Sequence, residues 1–151
     1  MRNIGVLILL IFIVSCQSNN SSNNRKSSNE KVNNDSIKYC NLISKTIDLP
    51  ELQQYYKVQE VIKQDSLVIL YNNFTERLGK IVKFNKPVVI LDSARIKKNH
   101  IKAFLEYKDI SIKNDTAKIY YIYDVQGVGI KSTYHYLNGQ WLLIDNDLWE
   151  N

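Results

Sequence analysis

The chain has 151 residues, of which 44% are hydrophobic and 23% charged, with 20 Lys and Arg against 15 Asp and Glu. This length and apolar content predict one ordinary globular domain and exclude a wholly disordered chain. The net charge of +5 is spread along the sequence, with no run of Lys or Arg longer than two residues. That pattern argues against a nucleic-acid-binding groove and indicates only a weak attraction to anionic surfaces.

The N-terminal segment has the pattern of a targeting signal. Arg2 precedes an apolar run over residues 4–14, which is interrupted only by Gly5. This run is too short for a transmembrane helix, because such a helix needs about 20 apolar residues. Its length is typical of the hydrophobic region of a secretory signal peptide, so residues 1–15 are predicted to be removed.

The apolar run ends in Ile13-Val14-Ser15-Cys16, which resembles the lipobox of bacterial lipoproteins. The shared features are a branched aliphatic residue three positions before the Cys, a small residue directly before it, and the Cys itself. The resemblance implies cleavage after Ser15 and a lipidated Cys16 with three acyl chains, which exceeds the two membrane signals that stable anchoring needs. The alternative is an ordinary signal peptide in which a Cys occurs by chance.

The next segment, residues 16–35, is predicted to be a flexible tether. In residues 17–35, 13 of 19 positions are Asn, Ser or Gln, and Val32 is the only apolar residue. Such a segment cannot bury enough surface to offset its ordering entropy. Directly after Cys16, Gln17-Ser18-Asn19-Asn20 lacks the acidic residues that surface-exported lipoproteins of Bacteroidota carry soon after the lipidated Cys. The resemblance therefore implies a lipid anchor in the outer membrane, facing the periplasm.

A single α+β domain is predicted over residues 36–151, beginning with helices. Asp35 or Ser36 is a suitable N-cap for the first helix, and Pro50 suits the first turn of a second short helix through residue 56. The predicted apolar face of the first helix is Ile37, Cys40, Ile43 and Ile47. If Cys16 carries lipid, Cys40 has no intrachain disulfide partner, and its position on this face indicates a buried, inert thiol.

The middle of the domain is predicted to contain short strands. Compact apolar runs of strand length occupy residues 67–71, 81–84 and 88–91. Pro87 indicates a strand start or an edge, and Asp92 is placed to cap a helical turn through residue 99.

The last part of the chain predicts a four-stranded antiparallel meander with strands at 101–112, 117–125, 128–137 and 140–145. Asn138-Gly139 predicts a type I′ turn that places Tyr136 opposite Trp141. A two-residue turn at Gln126-Gly127 would place Tyr123 opposite Ile130. Both turns put the same largely apolar set on one face: Ala117, Ile119, Tyr121, Tyr123, Ile130, Tyr134, Tyr136, Trp141 and Leu143.

The first strand of the meander changes phase. Its apolar positions are odd through Tyr107 and even from Ile110, so a β-bulge is predicted at Lys108-Asp109. The predicted fold class is α+β, with N-terminal helices followed by a curved antiparallel sheet. Over about the last fifty residues this order resembles the cystatin-like and NTF2-like small α+β domains, a likeness of pattern that transfers no catalytic residue.

No motif in the sequence assigns a reaction. Two His and one free Cys do not have the spacing of a zinc site, and the phosphate loop, the dinucleotide fingerprint and the nucleophile elbow are missing from the sequence. No catalytic residue, metal or cofactor is therefore predicted. Asp145-Asn146-Asp147 resembles half of a calcium loop but lacks its Gly and distal Glu, so a chain-terminal turn is the preferred interpretation.

Four short motifs suggest covalent modification. Asp followed by Ser or Thr and then by an aliphatic residue or Ala resembles the O-glycosylation acceptor pattern of Bacteroidota periplasmic proteins. The implied acceptors are Ser36, Ser66, Ser93 and Thr116. The alternative interpretation is purely structural, because Asp-Ser and Asp-Thr also cap helices and form turns.

Two classes of function stay open. One is a non-catalytic binding module tethered to the cell envelope, with the membrane as one partner through the lipid anchor and a protein or an envelope polymer as the other. The second class is an NTF2-like enzyme, and a cystatin-like or immunity-type inhibitor is a narrower version of the first. The predicted inward-facing set contains Ser132 but no His, Asp or Glu, which favours binding.

The predicted working surface is the opposite, less apolar face of the meander. Tyr120, Lys131 and His135 project there by alternation, together with Lys118, Thr133 and Gln140. These side chains offer aromatic contact area, hydrogen bonds and positive charge for an acidic partner. The alternative is a solvated polar face with no partner.

Overall fold

The computed structural model describes residues 23–57 and 66–150. The predicted signal peptide and the lipidation of Cys16 lie outside the described residues. The described chain begins with helix α1, Asn23–Ile47, followed by the 3₁₀ turns Pro50–Leu52 and Tyr55–Lys57. Pro50 occupies the first turn of its 3₁₀ element, as predicted. Backbone N–H groups in the first turn have no acceptor within the helix, so Pro, which lacks an N–H, loses no hydrogen bond there.

Helix α1 is longer than the sequence predicts. It begins at Asn23, so the predicted start at residue 35 or 36 is wrong, and the backbone of residues 23–35 is helical where a tether was expected. The helix contains no Gly and no Pro, and Asn and Ser are only moderately unfavourable inside a helix. The helix can therefore extend N-terminally beyond the part that packs on the sheet.

The apolar face of α1 also differs from the predicted face. Among residues 34–47 of the helix, whose side chains are described, the buried ones are Leu42, Ile43, Thr46 and Ile47. Ile37 is 51% exposed, so its placement in the core is wrong. Cys40 is half-buried rather than buried, and its Sγ accepts a hydrogen bond from the Gly79 N–H at 3.1 Å.

Six strands form the main sheet, in the order β4-β1-β5-β6-β7-β8. Strand β1 is parallel to both of its neighbours, and the remaining pairs are antiparallel. Strands β2 and β3 form a separate two-stranded hairpin. The strands are β1 Val68–Leu70, β2 Val82–Lys83, β3 Lys86–Pro87, β4 Val89–Leu91, β5 Phe104–Lys113, β6 Thr116–Tyr123, β7 Val128–Leu137 and β8 Gln140–Glu150. The predicted α+β class and the C-terminal meander β5–β8 are confirmed.

A short helix, α2 (Ser93–Lys98), connects β4 to β5. The Asp92 carboxylate caps it by accepting a hydrogen bond from the Arg95 N–H at 2.7 Å. The helical turn predicted after Asp92 is confirmed. Within the described residues, neither helix is both long and apolar enough to cross a membrane.

Two predicted details of the meander are confirmed. Asn138 and Gly139 both have positive φ angles, 51° and 81°, as a type I′ turn requires, and Tyr136 lies opposite Trp141. The β5–β6 register shifts between Tyr107 and Asp109, which is the predicted bulge at Lys108.

The predicted pairing of β6 with β7 is wrong by two residues. Tyr123 lies opposite Val128 rather than Ile130. The reason is the connection, because the 3₁₀ turn Asp124–Gln126 closed by Gly127 at φ 61° replaces the expected two-residue loop. Since the side-chain period of a strand is two, an even shift leaves each side chain on its predicted face.

The inner face of the sheet packs against α1. Thr46 connects them: its hydroxyl is 2.7 Å from the Tyr107 hydroxyl, and its carbonyl accepts a hydrogen bond from the Tyr121 hydroxyl at 2.9 Å. Seven residues of the predicted face are buried, namely Ala117, Ile119, Tyr121, Tyr123, Ile130, Tyr134 and Trp141. Tyr136 is half-buried, and Leu143 is 40% exposed, so its core assignment is wrong. Leu143 lies on β8, which is the edge of the sheet and has a neighbouring strand on one side only.

Strand β8 contains a second irregularity. Tyr134 lies opposite Leu143, whereas Thr133 lies opposite Asp145, so Ile144 is an extra residue in the ladder. The strand continues to Glu150, which means that the predicted chain-terminal turn at Asp145-Asn146-Asp147 is wrong.

Candidate functional site on the outer face of the sheet

The outer face of the sheet, opposite α1, collects alternate side chains of β5–β8. Across it, Tyr120 lies opposite Lys131, and Lys131 lies opposite Asp147. One step along the strands, Gly129 lies opposite Trp149. The bulge at Ile144 reverses the alternation in β8, so that residues with odd numbers lie on the inner face before it and on the outer face after it.

An aromatic pair lies on this face. The rings of Tyr120 and Trp149 have centroids 5.8 Å apart and planes inclined by 25°, and both side chains are half-buried. A Cβ atom on Gly129 would lie 2.3 Å from Cε2 and Cζ2 of Trp149. Because Gly129 has no side chain, the indole can lie directly above the backbone of β7, beside Tyr120.

Lys131 lies above the aromatic pair. Its Nζ is 5.2 Å from the centroid of the Trp149 ring and 5.8 Å from that of Tyr120. Such exposed cation–π contacts are worth about 0.5–1 kcal/mol. They hold the two rings and the ammonium group in one arrangement, although Lys131 itself stays exposed.

A shallow depression of about 400 Å³ adjoins the pair. Its charged groups are three carboxylates and two ammonium groups, and none of them forms an ion pair with another described residue. The carboxylates of β5 and β8 therefore offset the charge of the predicted lysines in this depression, and the acidic partner stays a prediction. The polar and aromatic lining consists of Asp109, Lys118, Tyr120, Lys131, Ser132, Thr133, Asp145 and Asp147.

The structure brings together only part of the site that the sequence predicts. Tyr120 and Lys131 are adjacent in the depression, whereas His135 lies on the same face, opposite Thr116 and Leu142, and does not line it. Sequence reasoning missed Trp149. Its signal was the run Leu142-Leu143-Ile144, which breaks the strand alternation in the way that residues 107–110 do.

The four glycosylation candidates lie in different settings. Ser93 is exposed at the first position of α2, and Thr116 is half-buried at the first position of β6. Ser66 is half-buried just before β1. Ser36 is half-buried inside α1 rather than at its start, so its interpretation as a helix boundary is wrong. Modification at any of the four stays a prediction.

Two further depressions lie beside α1. The larger, about 770 Å³, is lined by Tyr39, Phe74, Ile110 and Ile112, with charged side chains at its rim. The Tyr39 hydroxyl donates a hydrogen bond to the Phe74 carbonyl at 2.6 Å, and burial raises the pKa of Tyr39 to about 12. This hydroxyl is therefore protonated and already engaged at neutral pH.

The inner face carries buried hydroxyl groups. Those of Tyr56 and Tyr123 have no hydrogen-bond partner among the described residues, whereas the hydroxyls of Ser132 and Tyr134 lie next to each other. Burial raises the pKa of Tyr134 to about 12 and that of Tyr123 further. Among the described residues, no His, Asp or Glu is buried beside them, and the bulged strand β5 places Asp109 on the outer face, opposite Tyr120.

The described part of the chain contains no group of three or more His, Cys, Asp or Glu side chains arranged to hold a metal ion. In comparisons with protein-family models, with curated proteins and with solved structures, nothing matches this chain. The likeness to cystatin-like and NTF2-like domains therefore stays a prediction from the sequence pattern.

Proposed function

We propose that this protein is a lipid-anchored component of the cell envelope that acts as a non-catalytic binding module through the outer face of its sheet. The lipobox at residues 13–16 supports the anchor, and the signal-peptide pattern before it supports export. The anchor places the module in the outer membrane, facing the periplasm.

One observation carries the choice of surface, namely the pair of Tyr120 and Trp149 above Gly129. The other aromatic side chains of β6–β8 are buried on the inner face or packed against its core, so the fold already has its apolar contacts there. Aromatic side chains on an otherwise charged face are typical of the central contacts of binding surfaces. The NTF2-like alternative needs an acid or a His on the inner face, and no described residue supports it.

The anchor is tested by expressing the full chain and its Cys16→Ser variant in a diderm bacterium. The wild type is expected in the membrane fraction at the mass of the processed, lipidated protein. The variant is expected to be released from the membrane or left unprocessed, because the thioether needs the Cys sulfur. Unchanged membrane retention and processing of the variant would contradict the proposed anchor.

The surface is tested with detergent-solubilised full chain immobilised for biolayer interferometry against an extract of the producing cell's envelope. We expect the wild type to retain material and the double variant Tyr120→Ala/Trp149→Ala to lose most of it. Tyr71→Ala is the matched control, because Tyr71 is 52% exposed and is not among the residues of the outer face. Equal retention by the double variant and the control would show that another surface binds.

A further inference from the structure

The ring geometry of the outer face restricts what its ligand is. Tyr120 and Trp149 stack on each other with ring planes that differ by only 25°, and because both side chains are only half-buried, part of this flat aromatic pair is left as an uncovered apolar area. A ligand that matches this area needs a flat face of C–H groups. Pyranose rings have such a face, because their hydroxyl groups project mainly from the ring edge and leave the C–H groups to contact an aromatic plane.

The groups beside the rings restrict the charge of the ligand. Asp109, Asp145 and Asp147 are hydrogen-bond acceptors, whereas Lys118 and Lys131 are donors. A polyanion would meet the three carboxylates, and a polycation would meet the two ammonium groups. A sugar hydroxyl both donates and accepts hydrogen bonds, so a neutral saccharide can satisfy both kinds of group without burying an unpaired charge.

The site is also largely formed before a ligand arrives. The rings and the charged groups project from paired strands, and Lys131, whose ammonium group lies over both rings, is exposed and can turn away from the ring faces when a ligand stacks there. Side chains held on paired strands lose less conformational freedom on binding than free surface side chains do. The depression of about 400 Å³ is shallow, which suits a chain lying across the strands better than a small molecule that must be enclosed.

We infer that the outer face binds a neutral saccharide chain, with sugar rings stacked on Tyr120 and Trp149 and hydroxyl groups bonded to the flanking Asp and Lys side chains. This inference depends on the proposed function of the same face and names the class of its ligand. A protein partner on this face is the competing outcome, and the experiment separates the two.

The chain has two Trp residues, and they report on opposite faces. Trp141 is 2% exposed in the core, whereas Trp149 is half-buried on the outer face. We expect cellohexaose or chitohexaose to shield Trp149 of the detergent-solubilised full chain from quenching by acrylamide. A heparin hexasaccharide, which is a polyanion, is expected to give no shielding. In Trp149→Phe the remaining emission comes from Trp141 and should not respond to any of the three probes.

Affinities for the same probes are measured by calorimetry on folded variants checked by circular dichroism. Tyr120→Ala is expected to weaken saccharide binding by about tenfold, the typical effect of one aromatic contact. Asp147→Asn keeps the shape but removes a charged acceptor, so it is expected to weaken binding by a smaller factor. Tyr71→Ala is expected to bind like the wild type.

The inference is overturned if neither neutral hexasaccharide shields Trp149 at millimolar concentration, if only the heparin fragment binds, or if Tyr120→Ala binds like the wild type. When all three probes fail but the envelope extract is still retained through Tyr120 and Trp149, the proposed function stands and a protein partner replaces the saccharide. When both tests fail, the surface itself is wrong.

Discussion

On the inner face of β6–β8, Tyr121 and Trp141 are buried against α1, whereas on the outer face of the same strands Tyr120 and Trp149 are half-exposed. The inner pair is held by backbone acceptors of the helix: the Tyr121 hydroxyl donates to the Thr46 carbonyl, and the Trp141 indole N–H donates to the Lys38 carbonyl at 2.9 Å. Among the described residues, the outer pair makes no side-chain hydrogen bond to the protein. Its polar edges stay available to a ligand.

The comparison shows that the same residue types are buried on one face of the sheet and left partly uncovered on the other. The inner aromatic side chains exchange contacts with water for contacts with α1, and this burial stabilises the fold. The outer pair depends on Gly129 and Lys131 for its position and leaves part of its area uncovered. Stability should therefore respond to changes on the inner face, and binding should respond to changes on the outer face.

The largest expected contrast is between the two Trp residues. Trp141→Ala should lower the free energy of unfolding by about 3–5 kcal/mol, because it leaves a cavity in the core. Trp149→Ala should lower it by about 1 kcal/mol or less, since its ring is only partly buried. Urea denaturation followed by far-ultraviolet circular dichroism measures both. Similar losses for the two variants would remove the distinction between the faces.

Alkaline pH should unfold the protein through its inner face. Burial raises the pKa of Tyr107, Tyr121 and Tyr134 above the ordinary value of 10.0, in the case of Tyr134 to about 12. Between pH 10 and the raised pKa values, the tyrosines of the unfolded chain have lost protons that the folded chain keeps. The free energy of unfolding is therefore unaffected below pH 10 and falls as the pH rises from 10 toward the raised pKa values. For Tyr134 alone the loss amounts to about 2–3 kcal/mol.

This titration is followed by tyrosinate absorbance and circular dichroism on the same sample. The inner tyrosines are expected to ionise together with the loss of secondary structure. If every Tyr ionised near pH 10 while the secondary structure remained intact, the inner hydroxyls would not be buried as described.

Gly129→Ala is expected to have the smallest effect on stability, and it should act directly on the position of Trp149 on the outer face. The added Cβ would overlap the Trp149 indole, so the ring must move away from Tyr120. Displacing the indole costs free energy, but Ala is favoured over Gly in a strand by a similar amount. Because these two effects oppose each other, the free energy of unfolding should change by less than about 1 kcal/mol. Trp149 emission should shift to the red and become easier to quench.

Gly79→Ala is the control for this substitution. Its added Cβ meets only the Cys40 Sγ, at 3.5 Å, an ordinary contact distance. The control should leave Trp emission unchanged. If the Trp emission of Gly129→Ala were also the same as that of the wild type, the indole would not lie over β7.

Much of the meander could be predicted because local chemistry specifies it. Asn138-Gly139 specifies its own turn, and the change of phase after Tyr107 reveals the bulge at Lys108. The β6–β7 register was missed because a 3₁₀ turn and a two-residue loop are both compatible with Gly127. The start of α1 was missed because the polar composition of residues 17–35 indicates a segment that has no structure of its own. A helix that is already formed can extend into such a segment, because adding a residue to a helix is easier than starting a new one.

The candidate site was predicted only in part, for a reason of the same kind. Tyr120 and Lys131 follow from simple alternation in regular strands. Trp149 does not, because its face depends on one extra residue in β8, and the predicted strand ended at residue 145. The local charge was missed for the same reason, since Asp145 and Asp147 lie on the outer face only once the bulge is counted.

The bulge at Ile144 makes the length of β8 a determinant of what the outer face displays. If Ile144 were an ordinary member of the ladder instead of an extra residue, strict alternation from Trp141 would carry Asp145, Asp147 and Trp149 toward α1, where carboxylates do not fit. Deleting Ile144 would restore a regular ladder, because Asp145 would follow Leu143 directly and stay on the outer face. One surplus residue within β8 is therefore absorbed locally, whereas a second one would turn the whole end of the strand over.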